Sequence, residues 1–279
     1  MKREQLKEIT EKLEIGVKEL LNSDKYKEYL TFLSKFHNYS FNNSLLILLQ
    51  YPSASLVAGY ETWRTKHKRY VKKGEKGIKI IAPAPIKVKM KSENDEEADK
   101  EILLYKAVTV FDIAQTEGAE LPIMQAQELT ASVENYKYYF AKLEKISPCP
   151  IVFEKIEGGA KGYYNEKENK IAINEGMSEL QTLKTLIHEI SHAMLHNSEE
   201  AKKRDKKPSR NAKETEAESI AFTVLSYLGM DTSDYSFLYL ASWGGGDLKE
   251  FKESLEIIRD TAAKLINAIS STDTINKAA

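Results

Sequence analysis

The stretch HEISHAMLH, His188 to His196, holds three of the five histidines in the chain. In a helix, residues four apart lie one above the other, about 6 Å apart along the axis. His188 and His192 can therefore turn both imidazoles onto one Zn²⁺ at ~2.1 Å, with Mn²⁺ as the alternative ion. Glu189 follows the first histidine and points beside the ion, not into it. From there it can take a proton from a water that the ion activates and hand it on to a leaving amine. The chemistry this spacing suggests is metal-dependent hydrolysis, with Glu189 as the catalytic carboxylate.

A third ligand must come from elsewhere. KETEAESIAF, Lys213 to Phe222, supplies it on the next helical segment. Glu214 and Glu218 are four apart and share a face with Ala221 and Leu225, while Glu216 points about 160° away from Glu218. Ala217 and Ala221 are small enough to let this helix approach the histidine helix closely. We assign Glu214 as metal ligand and Glu218 as the partner that orients a ligand histidine, two roles that can be exchanged. His196 lies about 12 Å along the axis from His188 and is read as a helix-end residue interacting with the last carbonyls or the next loop. The spacing also lacks the Gly of the three-histidine protease pattern.

The elements that carry these residues are legible from periodicity and caps. Leu180, Leu183, Leu186, Ile187 and Ile190 recur at helical spacing, so 178–197 is predicted as a helix with a capping box between Ser178 and Gln181. Asn211 is predicted to cap the helix that carries Glu214, and Gly229 to close it. A long last helix covers about 247–270. Before the histidine helix, 151–156 reads as a strand, and Tyr163 to Asn174 as a hairpin turning at Glu168-Asn169. Its second arm, Lys170 to Asn174, is the expected edge for a peptide substrate. Tyr227, Tyr235 and Tyr239 are the residues available as oxyanion stabiliser.

The first part of the chain has different chemistry. Residues 61–91 contain eleven Lys or Arg and two acids. GYETWRTKHKRYVKKGEKGIKI interleaves Tyr60, Trp63 and Tyr70 with Arg64, Arg69, Lys72, Lys73, Lys76 and Lys79. A cationic track with ring faces is what single-stranded nucleic acid requires. The competing reading is a solvated charged face with Trp63 in a small core. Helices are expected over 3–22, 25–36 and about 45–49, then strands at 78–81 and 103–113. The acidic run 92–99 is expected to form an exposed loop between strands.

Length and composition bound the rest. At 279 residues the chain is long enough for about two domains. Its net charge of -1 excludes an overall basic nucleic-acid binder, but residues 1–125 carry +3 and the remainder -4. We place domains at 1–120 and 121–279, with a hinge in 115–122 and a helix over 130–145. A single cysteine, Cys149, excludes an internal disulfide and a Cys-rich zinc site. No apolar run reaches the ~18 residues needed to cross a bilayer, and the charged start lacks the apolar core of a signal peptide. The expectation is a soluble, cytoplasmic protein without a membrane partner.

In both halves the chain resembles the ArdC-type antirestriction proteins of plasmids and other mobile elements. The resemblance lies in FNNSLLILL, Thr62-Trp63, VKKGEKG (71–77) and VFDIAQTEG (110–118). It continues in YYN at Tyr163, HEISHAMLH, the Glu-x-x-Ala-Glu of Glu214 to Glu218, and YLASW (239–243). The Gly244-Gly245-Gly246 run and the acidic first helix depart from the family. The resemblance implies an α+β chain: a small mixed single-stranded-DNA-binding domain, then a zincin-like metallopeptidase domain. It carries Glu214 over as third ligand and suggests protection of incoming single-stranded DNA during conjugation, with an unidentified protein as substrate. Two other readings compete: a DNA-coating protein whose metal site is structural or vestigial, and a repressor-cleaving protease resembling the ImmA/IrrE group.

Overall fold

The computed structural model describes residues 2–91, 97–121, 135–204, 206–230, 232, 235, 237, 240 and 248–271, with side chains described for 4–86 and from 102 onward within those ranges. It is a mixed α+β structure in two compact units. The first comprises residues 1–18 and 42–123, the second 19–41 and 124–279. The second unit thus takes in the 19–41 segment as well as everything after residue 123.

In the first unit, α1 (Lys2–Glu19) buries Ile9, Leu13 and Val17 at helical spacing. Helix α3 (Phe41–Gln50) carries the apolar run 45–49 and begins before the polar Asn42-Asn43-Ser44, which lie within its first turn. A β-carbon at Gly16 would stand 2.5 Å from Leu49 Cδ1, so α1 lies directly on α3. The sheet has the order β1-β4-β3, all antiparallel, from β1 (Val57–Gly59), β3 (Ile78–Lys91) and β4 (Glu97–Asp112). Helix α4 (Tyr60–Thr65) follows β1, and the short β2 (Arg69–Val71) pairs with β5 (Thr116–Gly118). Strand β4 starts at Glu97, so the end of the acidic run is strand and not loop.

Strand β3 extends far beyond 78–81, straight through Pro83 and Pro85. The reason lies in parity. The main-chain N–H groups of Lys79 and Ile81 face away from β4 and are taken by the side-chain carbonyls of Gln50 and Asn43, each at 2.9 Å. Their carbonyls accept the same two amides at 2.8 Å. Residues 83 and 85 continue that outward set, so proline removes no ladder bond there. The corner after β4 is fastened by Asp112, whose carboxylate accepts from the main-chain amides of Ser55, Leu56 and Ala114. Gln115 reaches back to the Asp112 amide and across to Glu75 and the Lys76 carbonyl.

The second unit is built around α8 (Arg210–Tyr227), which packs against α2 (Ser23–Phe36), α6 (Glu179–Leu195) and α9 (Leu248–Ser270). Helix α8 is buried nearly all round, and Ala217 and Ala221 are fully inaccessible. Tyr26 of α2 hydrogen-bonds Ser219 of α8 at 2.8 Å in this core. Helix α5 (Tyr136–Ile146) packs on α6 and α9, and the short α7 (Ser198–Lys203) follows α6. Two caps differ from expectation. Ser178 accepts from the Gln181 amide, but the Gln181 side chain turns to Thr185 and Lys161, so the box is only half made. Ser209, not Asn211, caps α8, accepting from the Ala212 amide at 3.1 Å. Such a cap contributes ~1 kcal/mol. Gly229 follows the helix end with φ +67°, as its C-terminal role requires.

The second sheet has the order β6-β8-β7, from β6 (Ile151–Glu154), β7 (Gly162–Asn165) and β8 (Lys170–Asn174). The 163–174 hairpin is present, with Asn169 left-handed in its turn. Lys170–Asn174 is not the edge. It is the central strand, paired parallel to β6 and antiparallel to β7, with Ile171, Ala172 and Ile173 wholly buried. The strand with a free side near the histidine helix is β7. Among the described residues no helix is long and apolar enough to cross a membrane.

Candidate metal centre

Helices α6 and α8 bring their predicted residues together. His188 Nε2 and His192 Nε2 lie 3.0 Å apart, and Glu214 Oε2 stands 3.5 Å from the first and 3.6 Å from the second. Among the described residues these three form the one group of His, Cys, Asp and Glu whose donor atoms converge in this way. Bonds of ~2.1 Å would set ligand atoms roughly 3.4 Å apart at tetrahedral angles and about 3.0 Å apart at right angles. The three separations span both values. Two imidazole nitrogens and one carboxylate oxygen are also a donor set suited to Zn²⁺ or Mn²⁺. The site therefore fits a divalent ion.

Glu218, one turn along α8, places Oε2 3.3 Å from His188 Nδ1, on the ring edge away from Glu214. Lys184 in turn approaches Glu218 at 3.8 Å. With the site holding protons, the electrostatics are those of a cation trap. Burial pulls His188 down, but hydrogen bonds to Glu214 and Glu218 outweigh it and lift it to about 9. Hydrogen bonds from both histidines hold Glu214 far below the usual carboxylate range.

Glu189 is buried at the α6–β7 contact. Burial pushes its carboxyl up, against the pull of His188 and His192 and of the Tyr164 main-chain amide. A carboxyl raised toward the working pH is suited to proton transfer. Gly162 of β7 permits this approach: a β-carbon there would fall 2.5 Å from Thr185 Cγ2 and 2.9 Å from the Ala172 carbonyl oxygen. The free side of β7 thus runs beside the helix turn that carries Glu189.

His196 is placed differently from expectation. Its side chain is 3% exposed and faces neither terminal carbonyls nor loop. Nδ1 lies 2.8 Å from His192 Nδ1, and Nε2 lies 2.9 Å from Glu216 Oε2. Glu216, fully buried, also accepts two hydrogen bonds from Arg204 and one from Ser254 Oγ at 2.6 Å. Sequence reasoning set both Glu216 and His196 aside. The available signal was the second i,i+4 step, from His192 to His196. Of the three tyrosines, Tyr227 is bonded to Ser270, Tyr235 buries a hydroxyl with no partner among the described residues, and Tyr239 lies outside them, as do Trp243 and the Gly244 run.

In the first unit the basic segment is only partly free. Trp63 is 0% exposed and donates its indole N–H to the Phe111 carbonyl at 2.8 Å. It is a core residue and cannot offer a face to a base, which corrects the stacking role expected of it. Arg64 pairs with Glu61, Arg69 with Thr116 and the Ala119 carbonyl, Lys72 with the Ala114 carbonyl and Lys79 with Thr109. Tyr60, Lys73 and Lys76 are exposed. So is Tyr70, 56% exposed, on the face of β2 opposite Arg69.

Residues 2–111 match the family model of the N-terminal domain of anti-restriction factor ArdC, and residues 147–262 match the peptidase M78 model, described as an IrrE N-terminal-like domain. Among solved structures, the metal-free crystal structure of antirestriction ArdC protein from the R388 plasmid is similar, at TM-score 0.55 and 20% identity over 83% of this chain and 84% of that one. The Mn(II)-bound structure of the same protein aligns at TM-score 0.50 and 20% identity over 83% of each. An uncharacterized protein of Bacillus anthracis is 29% identical over 308 aligned positions, covering 96% of this chain and 51% of that protein. The chain thus spans about half the length of that relative. In fold it is similar to the R388 ArdC protein, and in domain order a segment matching the ArdC N-terminal domain model precedes one matching the peptidase M78 model.

Proposed function

We propose that the protein is a single-stranded-DNA-binding, divalent-metal-dependent peptidase of antirestriction type that protects DNA entering during conjugation, with an unidentified protein as its substrate. The observation that carries the enzymatic part is the convergence of His188, His192 and Glu214 with Glu189 buried beside them. His188, His192 and Glu214 would hold the ion, Zn²⁺ or the Mn²⁺ found with the R388 protein. When bound, the ion supplies Lewis-acid polarisation of a carbonyl and activation of water. Glu189 takes the proton and returns it to the leaving amine. A structural site has no use for such a base. The free side of β7 would receive the peptide as an added strand.

The DNA-binding part rests on the ArdC N-terminal match and on Tyr60, Tyr70, Lys73 and Lys76, which offer ring faces and cations at the surface. We place the functional division near residue 120, with the 19–41 segment, which carries α2, grouped with the peptidase unit. A second reading, a repressor-cleaving protease, is favoured by the IrrE N-terminal-like match. The test combines two titrations of the purified chain. Mn(II) should bind at one site and be lost in His188→Ala, and a fluorescent oligonucleotide should bind better single-stranded than as duplex. An absent ion sinks the hydrolase, and equal affinity for both DNA forms sinks the single-strand assignment. Cleavage of a protein substrate at the same rate with and without DNA would favour the second reading.

A further inference from the structure

We infer that His196 and Glu216 position the ligand His192, so that the metal site reaches two residues deeper into the core than its three ligands. The inference rests on the metal-binding reading. It is carried by a chain of hydrogen-bond contacts running from His192 Nδ1 to His196 Nδ1 at 2.8 Å, then from His196 Nε2 to Glu216 Oε2 at 2.9 Å.

Donor and acceptor roles follow from one condition. With His192 Nε2 turned toward His188 and Glu214 and given to the ion, its proton sits on Nδ1. His192 Nδ1 then donates, and His196 Nδ1 must accept. The His196 proton is left on Nε2, where it donates to the Glu216 carboxylate. That carboxylate cannot turn away, because Arg204 grips both oxygens at 2.9 and 2.8 Å and Ser254 donates to Oε1 at 2.6 Å. Each imidazole in the chain has one tautomer consistent with all contacts. The ring plane of His192 is fixed from behind, and Glu216 draws proton density away from it, strengthening it as a donor to a cation.

His188 has the same arrangement in shorter form, with Glu218 against its Nδ1. His196 is thus an imidazole inserted between ligand and carboxylate. It is needed because Glu216 leaves α8 on a different face from Glu214 and Glu218 and meets α6 one turn further on. It also ties the segment after α7, through Arg204, to the ligand set.

The test reads metal affinity and tautomer, not turnover. Mn(II) is titrated into the full chain and into His196→Leu and His196→Asn, with folding checked by circular dichroism. Leu removes the acceptor and should weaken Mn(II) by about 10–100-fold. Asn keeps an acceptor one bond beyond Cγ, where Nδ1 stood, and should recover most of that loss. A folded His196→Leu chain with wild-type affinity overturns the inference. So does a His196→Asn chain as weak as the Leu variant. Should the Leu variant fail to fold, long-range ¹H–¹⁵N spectra of the Zn(II)-loaded wild-type chain decide. His196 protonated only at Nε2 supports the chain, and a proton on its Nδ1 breaks it. Failure of the wild-type chain to take up Mn(II) is the distinct outcome that removes the metal reading itself.

Discussion

The Glu218 carboxylate lies 3.3 Å from His188 Nδ1, while Glu214 reaches the same ring from the Nε2 side at 3.5 Å. One imidazole is held between two carboxylates from successive turns of α8, and only one of them also reaches His192. The two glutamates should therefore separate on mutation. We expect Glu214→Gln to abolish Mn(II) binding and Glu218→Gln to weaken it about tenfold. Isothermal titration of both variants checks this, and the reverse order would exchange their roles.

Glu189 points beside the ligand atoms and is not among the three that converge. Glu189→Gln should therefore leave the Mn(II) stoichiometry and affinity of the chain intact while removing peptide hydrolysis. Metal content by mass spectrometry and a cleavage assay on the same preparation test both halves. A variant that cleaves normally removes Glu189 from the mechanism.

Metal uptake should depend on pH. His188 is lifted to about 9 in the ion-free site by its two carboxylate partners. Below that pH an entering ion must displace a proton, and above it none. Affinity should then rise about tenfold per pH unit on the way up to that value and level off beyond it. Mn(II) titrations in buffers of different ionisation enthalpy count the proton released. A profile flat across neutrality would mean that His188 is already deprotonated.

Trp63 fills the core of the first unit, so Trp63→Ala should act on stability. We expect a loss of ~3–5 kcal/mol, read as an earlier transition in urea. Oligonucleotide affinity should fall only where that unit begins to unfold. Wild-type stability in this variant would contradict the buried position.

Lys73, Lys76 and Tyr70 are exposed, whereas Arg64, Arg69, Lys72 and Lys79 are engaged with their own chain. Lys73→Glu with Lys76→Glu should reduce the salt dependence of single-strand binding, each lysine accounting for about 0.7 of the logarithmic slope. Anisotropy titrations across a salt series measure it. An unaltered slope would move the phosphate track elsewhere.

The convergence of the candidate metal ligands was readable because it depends on helical arithmetic. His188, His192, Glu214 and Glu218 are related by i,i+4 spacing, and small Ala217 and Ala221 mark where the two helices touch. The first unit was less readable. Composition shows that aromatic rings alternate with cations but not which way a ring faces, so Trp63 and Tyr70 look alike until the Phe111 carbonyl claims one of them. The second sheet was misread for a topological reason. Strand β8 gains its second neighbour from β6, which precedes β7 in the chain, and no local pattern announces a parallel partner at that distance. Glu216 was set aside because the helical wheel gives its direction and not what awaits there, which is His196, Arg204 and Ser254.

The amides of Asn43 and Gln50 have a consequence for the behaviour of the protein in a crowded solution. Seven residues apart on α3, they imitate a neighbouring backbone at Lys79 and Ile81, and the two prolines that follow present no donor on that side. A sheet border several residues long is therefore closed to recruitment by another polypeptide, by mimicry at one end and by chemistry at the other. Replacing either amide with an aliphatic side chain would open a seed for lateral growth and let copies of this unit assemble with one another.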